Sequence, residues 1–305
     1  MTPIAVCGSF VTDLVVRVER HPRPGETLFG KSFDTWLGGK GFNQALAARR
    51  LGADVAMVGC LGEDAYGDTF LAALDAEGIR RAHVHRSPGG TGVAVPIVDD
   101  HAQNTIVVVP RANLALTVED VARAAPAIAA ARALLLQLEV PVAACLAAAS
   151  IARDVGALVV WNLAPFAPLP AGALAAADVA VVNEAEAGGL LGVMPATPAQ
   201  AVDAARAIVG LGARAAVVTL GALGAAWCGP GGVGHAPAHA VKAVDTVGAG
   251  DAFIGALGLA LARGSELAEA VAWGNAAGAL ATTVHGAAPS MPRADAVEAL
   301  LRSGQ

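Results

Sequence analysis

The chain reads as an α/β protein: a three-layer α/β/α sandwich around a mainly parallel central sheet, with a small β-sheet lid inserted into it. Three observations carry this reading. Short β-branched runs alternate with longer Ala- and Leu-rich helical segments, the order expected of a parallel sheet covered on both faces. Two stretches, at about residues 11–37 and 91–110, break that rhythm and resemble antiparallel hairpins. No Pro-, Ser- or charge-rich linker divides the 305 residues, so a single domain with insertions is expected.

Taken in order, buried strands are expected at Ile4–Cys7, Val55–Val58, Ala133–Gln137, Ala157–Trp161, Val179–Val182 and Ala215–Thr219, each short and apolar. Helices are expected at Asn43–Arg50, Asp68–Glu77, Val118–Ala130, Val142–Asp154, Pro198–Gly210 and Ala252–Ala262. Gly52, Gly78 and Gly264 follow helix ends, where a left-handed cap is needed. In the second inserted stretch two β-branched runs flank the polar turn Asp99–Asn104. Its placement suits a lid.

Composition excludes several function classes. The net charge is −6 with no basic run, which argues against nucleic acid and anionic membrane as partners. Cys7, Cys60, Cys145 and Cys228 are scattered without a C-x-x-C pair, as suits a reduced, cytoplasmic protein without a structural zinc. The N-terminus lacks a signal-peptide layout, and the most apolar segment is broken by Gln137, Glu139 and Pro141. Pro237, between His235 and His239, argues against a helical zinc pair.

Four motifs can carry chemistry. In "DTVGAGDAF" a turn with Gly248 and Gly250 lies between Asp245 and Asp251, after the β-prone "AVKAV" and before an apolar helix. Unpaired amides at such a helix start can hold a phosphoryl group while Asp251 takes a proton from an acceptor hydroxyl. A capping Asp on a tight turn is the plainer alternative. The motif lacks the spacing and lysine of a Walker A loop. "GGKGFN" (Gly38–Asn43) also opens a helix, and Lys40 and Asn43 can hydrogen-bond hydroxyls. At the end of "VAVVN", Asn183, Glu184 and Glu186 can hold Mg²⁺ through waters or cap the next helix. Thr219, Gly221 and Gly224 can cradle a nucleotide or form an ordinary hairpin turn.

Together with "PGET" (24–27), "QLEVP" (137–141), "NLAP" (162–165) and "GAAPSMP" (286–292), and in this order, these motifs resemble the PfkB carbohydrate kinases, on their ribokinase-like side. The resemblance implies a ribokinase-like fold and transfer of the ATP γ-phosphoryl group to a sugar hydroxyl, with ribose the first candidate acceptor. It implies that Asp251 is the base and that Gly248, Ala249 and Gly250 form the anion hole. Asp13, Gly39, Lys40, Asn43 and Glu139 match sugar-contacting positions. Asn183 and Glu186 match positions around the phosphates and Mg²⁺. Thr219, Gly221, Gly224 and Asn275 match the nucleotide site. Asp245, Val247, Ala281, Val284, Gly286 and Ser290 match a K⁺ site beside the anion hole. A homodimer through the lid is implied as well.

Four positions depart from the family's usual pattern. Val11 stands for an Asn two residues before the acid, Phe42 for a small residue, Leu163 for a Pro and Arg111 for a Gly. Phosphoryl transfer is untouched by these changes, but the acceptor is left open among ribose, a deoxysugar, a ketohexose and a nucleoside. Two other classes fit less well. A dinucleotide dehydrogenase would need G-x-G-x-x-G at its first helix, and a non-catalytic sugar binder would have no use for a base.

Overall fold

A computed structural model describes residues 1–101 and 103–303. The strands run β1 (Thr2–Cys7), β2 (Val11–Arg17), β3 (Ser32–Gly38), β4 (Ala53–Gly62), β5 (Arg80–Ser87), β6 (Gly92–Val98) and β7 (Asn104–Val109) in the first third of the chain. They continue as β8 (Ala133–Leu136), β9 (Leu158–Asn162), β10 (Val179–Asn183), β11 (Ala215–Thr219), β12 (Ala225–Gly229) and β13 (Gly232–Ala236). The helices are α1 (Lys40–Arg50), α2 (Ala65–Glu77), α3 (Val118–Arg123), α4 (Ala125–Ala129), α5 (Val142–Asp154) and α6 (Glu184–Leu191). Then follow α7 (Pro198–Gly210), α8 (Ala249–Ala262), α9 (Leu267–Ala281), α10 (Ala287–Ser290) and α11 (Ala294–Ser303).

Among these residues one sheet has nine strands in the order β13-β12-β11-β10-β9-β8-β1-β4-β5. From β5 to β11 every pairing is parallel, and the β12–β13 edge is antiparallel. Alternation along each strand divides the core in two. Ile4 and Val6 of β1 face α1, α2, α8 and α9, while Ala5 and Cys7 face α3 to α7. This is the expected three-layer sandwich.

The inserted stretches form a separate sheet, ordered β3-β2-β6-β7, with β2 and β6 parallel and the other pairs antiparallel. Its outer strand is apolar yet exposed: Ile106, Val107, Val108 and Val109 each keep 44–61% of their surface in solvent. The lid is anchored at Thr91, whose amide and hydroxyl both donate to the Asp64 carboxylate. Arg111, at the strand's return, adopts a left-handed backbone (φ 47°) and donates to the Thr91 carbonyl at 3.2 Å. It is exposed. The expected turn at Asp99–Asn104 begins as drawn, with Asp99 accepting from the amides of His101 and Gln103; Ala102 lies outside the described residues.

Helix α8 governs the site's geometry. Every residue from Asp251 to Ala262 is buried, as in a helix packed on all sides. It lies between the sheet, α1 and α9, and glycines bring it close to its neighbours. A Cβ on Gly255 would come within 2.6 Å of Ala47 Cβ and 3.0 Å of Gln44 O in α1. A Cβ on Gly258 would meet Leu135 of β8 at 2.5 Å.

Three expectations need correction. The helix expected over Val118–Ala130 is two pieces, because Pro126 has no N–H to carry the hydrogen-bond ladder past Ala124. "AVKAV" is not a strand. The amides of Val244 and Asp245 donate to Thr282 O at the end of α9, so the segment is tied to a helix terminus rather than a sheet. Phe42 is not a feature of the sugar site. On α1, Lys40, Asn43 and Gln44 share one face at i, i+3 and i+4, and Phe42 points away. Its ring packs edge-on against Phe70 at 5.0 Å, and Phe10 completes the cluster.

The close approach at Gly255 makes a prediction against propensity. Alanine in mid-helix is ordinarily worth about 1 kcal/mol over glycine. Gly255→Ala is nevertheless expected to destabilise the fold by about 1–3 kcal/mol through overpacking against α1, read as a lower urea midpoint. An unchanged or higher midpoint would mean that α1 and α8 are not in contact here.

Candidate active site

The carboxyl ends of the parallel strands and the first turns of α1, α6 and α8 converge on one cavity of about 210 Å³. Lys40, Asn162, Asn183, Glu186, Thr219, Gly248, Gly250 and Asp251 line it, together with Thr246 and Phe253. A larger depression of about 430 Å³ lies beside α5, around Ser150 and Arg153. It is open, and none of the residues described below reaches it.

Asp251 stands in the first turn of α8, 7% exposed. Its two oxygens accept from Asn43 Nδ2 at 2.9 Å and Gln44 Nε2 at 3.0 Å. The helix begins at Gly248 with φ 82° and has no side-chain cap. Its opening amides therefore remain available: Ala249 N–H makes only a long 3.3 Å bond to Thr246 O, and those of Gly248 and Gly250 meet no acceptor among the described residues. With the helix dipole, this is a ready place for an anion.

The sugar-side residues predicted from sequence are brought together. Glu139 accepts from Lys40 N at 2.9 Å and from Ser9 Oγ, tying β8's loop to the start of α1. Gly39 turns at φ 90°, where a Cβ would sit 2.6 Å from Val11 N, so glycine is required. Asp13 pairs with Trp36 on the lid strand and turns its carboxylate against Gly38, where a Cβ would sit 2.4 Å from Oδ2. Burial, with Glu139 and Asp251 close by, pushes its carboxyl up to about 7. Burial pulls the Lys40 ammonium down, but Asp251, Glu139 and Glu186 outweigh it and hold it above the ordinary lysine range. Asn43 Oδ1 is buried and unpartnered, an acceptor without a donor.

The phosphate side is mixed. Asn183 and Glu186 form a capping box on α6: Asn183 Oδ1 accepts from Glu186 N, and Glu186 Oε2 accepts from Asn183 N, both at 2.8 Å. Both also line the cavity, leaving Glu186 Oε1 free. Burial raises the Glu186 carboxyl despite that amide and Lys40. Thr219 lines the cavity, whereas Gly221 and Gly224 sit in the connection between antiparallel β11 and β12. Gly224 packs against Ala236, where a Cβ would be 2.0 Å from the carbonyl oxygen. Asn275 donates to the carbonyls of Ala236 and Pro237, at 3.0 and 3.2 Å, so its amide is engaged in holding that loop.

Asp245 lies behind the turn. It accepts from Val247 N at 3.0 Å and Gly286 N at 2.9 Å, joining the two loops. Val284 N donates to Ala281 O, and Ser290 Oγ donates to Ala287 O. Among the described residues no cluster of three His, Cys, Asp or Glu side chains forms a metal site, and no helix is long and apolar enough to cross a membrane.

Sequence reasoning missed Gln44, Gln137 and Asn162 as members of the site. Gln137 Nε2 donates to Gln44 Oε1 at 2.6 Å, and Gln44 Nε2 reaches Asn162 Oδ1 at 3.2 Å as well as Asp251. The available signal was a glutamine on the alanine-lined face of α1 and another closing an apolar strand.

A carboxylate beside an uncapped helix start and a lysine held in its charged form, at one polar cavity, are the parts that phosphoryl transfer of the carbohydrate-kinase type requires. Residues 1–294 match the pfkB family carbohydrate kinase domain. The chain is 38% identical to the ribokinase of Haemophilus influenzae over 290 residues, 95% of each protein. It is 37% identical to the deoxyribokinase of Salmonella typhi over 254 residues, 83% of each. The structure of Arabidopsis thaliana ribokinase complexed with ribose and ATP superposes with a TM-score of 0.90 at 32% identity, over 99% of both chains. The chain belongs to the pfkB family of carbohydrate kinases and is an ATP-dependent sugar kinase.

The raised Asp13 carboxyl has a consequence for stability. Its folded-state value of about 7 lies above the ordinary 3.8, so the folded chain keeps a proton that the unfolded chain releases. Stability therefore falls as pH rises through that window, and the full cost stands above it. Asp13→Asn is expected to raise the melting temperature at pH 8 and to change it little at pH 4. Equal shifts at both pH values would remove the buried charge as the cause.

Proposed function

We propose that the acceptor is ribose and that its primary hydroxyl takes the γ-phosphoryl group, giving ribose 5-phosphate and ADP. The observation that carries the reading is the Asp251 carboxylate, buried and held at both oxygens, beside the free first-turn amides of α8. Asp13, Glu139 and the unpartnered Asn43 Oδ1 offer acceptors to sugar hydroxyls. Ribokinases and deoxyribokinases both stand among the relatives, and ribose is the acceptor shared by the more extensively matched ones.

In the reaction Asp251 takes the hydroxyl proton as the oxygen attacks the γ-phosphorus, and the bond to the bridging oxygen of ADP breaks. Lys40, positive and close to both Asp251 and Glu186, balances charge on the moving group. The amides of Gly248, Ala249 and Gly250 receive its equatorial oxygens. The nucleotide lies toward Asn183 and Thr219, with Asn275 and Gly224 holding the loop that bounds it. The lid brings Asp13 over the sugar and excludes water.

Two metals fit the donors present. Glu186, with one oxygen free, would hold Mg²⁺ through water, and that ion would neutralise phosphate charge. Asp245, anchored by two amides with lone pairs to spare, would hold K⁺ with the carbonyls of Val247, Ala281, Val284 and Gly286 and with Ser290. The exposed apolar β7 supports a homodimer through the lid.

Asp251→Asn is expected to bind ATP and sugar yet lose turnover by about 10²–10⁴-fold. Near wild-type turnover would rule Asp251 out as the base. Gly250→Ala separates fold from function: its Cβ would meet nothing within 4 Å, so stability should hold or rise by about 0.5–1 kcal/mol while turnover falls. Full activity in that variant would place the phosphoryl group elsewhere.

One solution series examines the rest. ATP consumption should be highest with ribose among ribose, deoxyribose, ketohexoses and nucleosides, and should fall when K⁺ is replaced by tetramethylammonium or when Mg²⁺ is chelated. Sedimentation should show a dimer that Val107→Lys dissociates. A different preferred acceptor, cation indifference or a wild-type monomer would each remove the corresponding assignment.

A further inference from the structure

Behind Asp251 lies a line of buried amides that none of the steps above employs. Its direction is set at one end by a group that can only accept, the Val181 carbonyl of β10. Asn162 donates to it from Nδ2 at 3.2 Å, which turns Asn162 Oδ1 toward Gln44. That oxygen needs a donor, so Gln44 presents its NH₂ on this side and reaches Asp251 Oδ1 with the same group. Gln44 Oε1 is thereby turned to the other side, where it accepts from Gln137 Nε2.

The far end shows that this direction is maintained at a cost. Gln137 is fully buried, and its Oε1 has no partner. It abuts Gly8, where even a Cβ would lie 2.0 Å away. A buried unpaired acceptor is unfavourable, and reversing the line would place the Gln44 carbonyl against the Asp251 carboxylate, oxygen facing oxygen. The polarity of the line is therefore matched to an ionised Asp251. Gln44 and Gln137 are both 0% exposed, so water cannot stand in for either.

We propose that Gln44, oriented by Asn162 and Gln137, is the positioning residue that fixes the plane of the Asp251 carboxylate. With Asn43 holding the second oxygen, the carboxylate cannot rotate about its terminal bond, and its remaining lone pairs stay aimed at the acceptor hydroxyl. The inference rests on the reading of Asp251 as the base. Gln44 itself does not line the cavity, and it acts through Asp251.

The test is a double-mutant cycle with Gln44→Met, a substitution of similar length without hydrogen-bonding groups. Gln44→Met is expected to lower kcat by up to about 100-fold while KM for sugar and ATP stays within about threefold. Gln137→Met, which does not touch Asp251, should give a smaller fall of the same kind. In the Asp251→Asn background, where there is no base to position, Gln44→Met should change the residual single-turnover rate by less than about twofold.

An equal loss in both backgrounds, or a raised KM with unchanged kcat, would make Gln44 structural and overturn the proposal. Normal turnover by Asp251→Asn alone would instead overturn the base assignment. Should Gln44→Met fail to fold, the paired Gln44→Met/Gln137→Met variant removes donor and acceptor together and carries the same expectations. Its retained sugar binding by calorimetry would establish that it is folded.

Discussion

The structure depends on one buried helix meeting another at van der Waals distance. Helix α8 is enclosed on every side, and Gly255 lets it approach α1 until the backbone at Gln44 is within reach of a single added carbon. That contact is apolar and belongs to the core, yet it sets the position of the Asp251 carboxylate. Asp251 projects from the first turn of α8, and Asn43 and Gln44 project from the facing turns of α1. Their separation is whatever the packing a turn further along allows. A rigid interior thus transmits its geometry to a polar site that would otherwise adapt to solvent.

Much of this was legible in the sequence, for identifiable reasons. Helices α5 and α7 fall at Val142–Asp154 and Pro198–Gly210 as expected, because Pro141, Thr197 and Pro198 mark their starts in local chemistry. The central strands are apolar on both faces and stand out for that reason. Edge strands do not: β5 is polar and half-exposed, and β13 is short and glycine-rich. "AVKAV" misleads because its residues favour strands, while its amides find a helix terminus closer than any sheet edge.

The candidate site shows the same division. Residues whose role is expressed next to a glycine turn, such as Lys40 and Asp251, announce themselves by spacing. Gln44, Gln137 and Asn162 are far apart in the chain and have meaning only as a line of donors and acceptors in space. Phe42 shows the converse error: adjacency to a motif suggested a place in the pocket, but helical phase sends its ring into the core. For Asn183 and Glu186 the capping reading is realised, and the capping box that starts α6 also presents Glu186 to the cavity, which leaves the Mg²⁺ reading open.

Burial raises the Asp13 carboxyl to about 7, which puts a titrating proton on the lid strand near neutrality. On the proposed reading, in which sugar hydroxyls donate to that carboxylate, its ionised form would be favoured and binding would release the proton to solvent. Sugar capture would then be coupled to the surrounding buffer, and its apparent heat would include the buffer's own heat of protonation. A side chain on the lid strand that recognises a neutral molecule would thereby make that recognition sensitive to acidity.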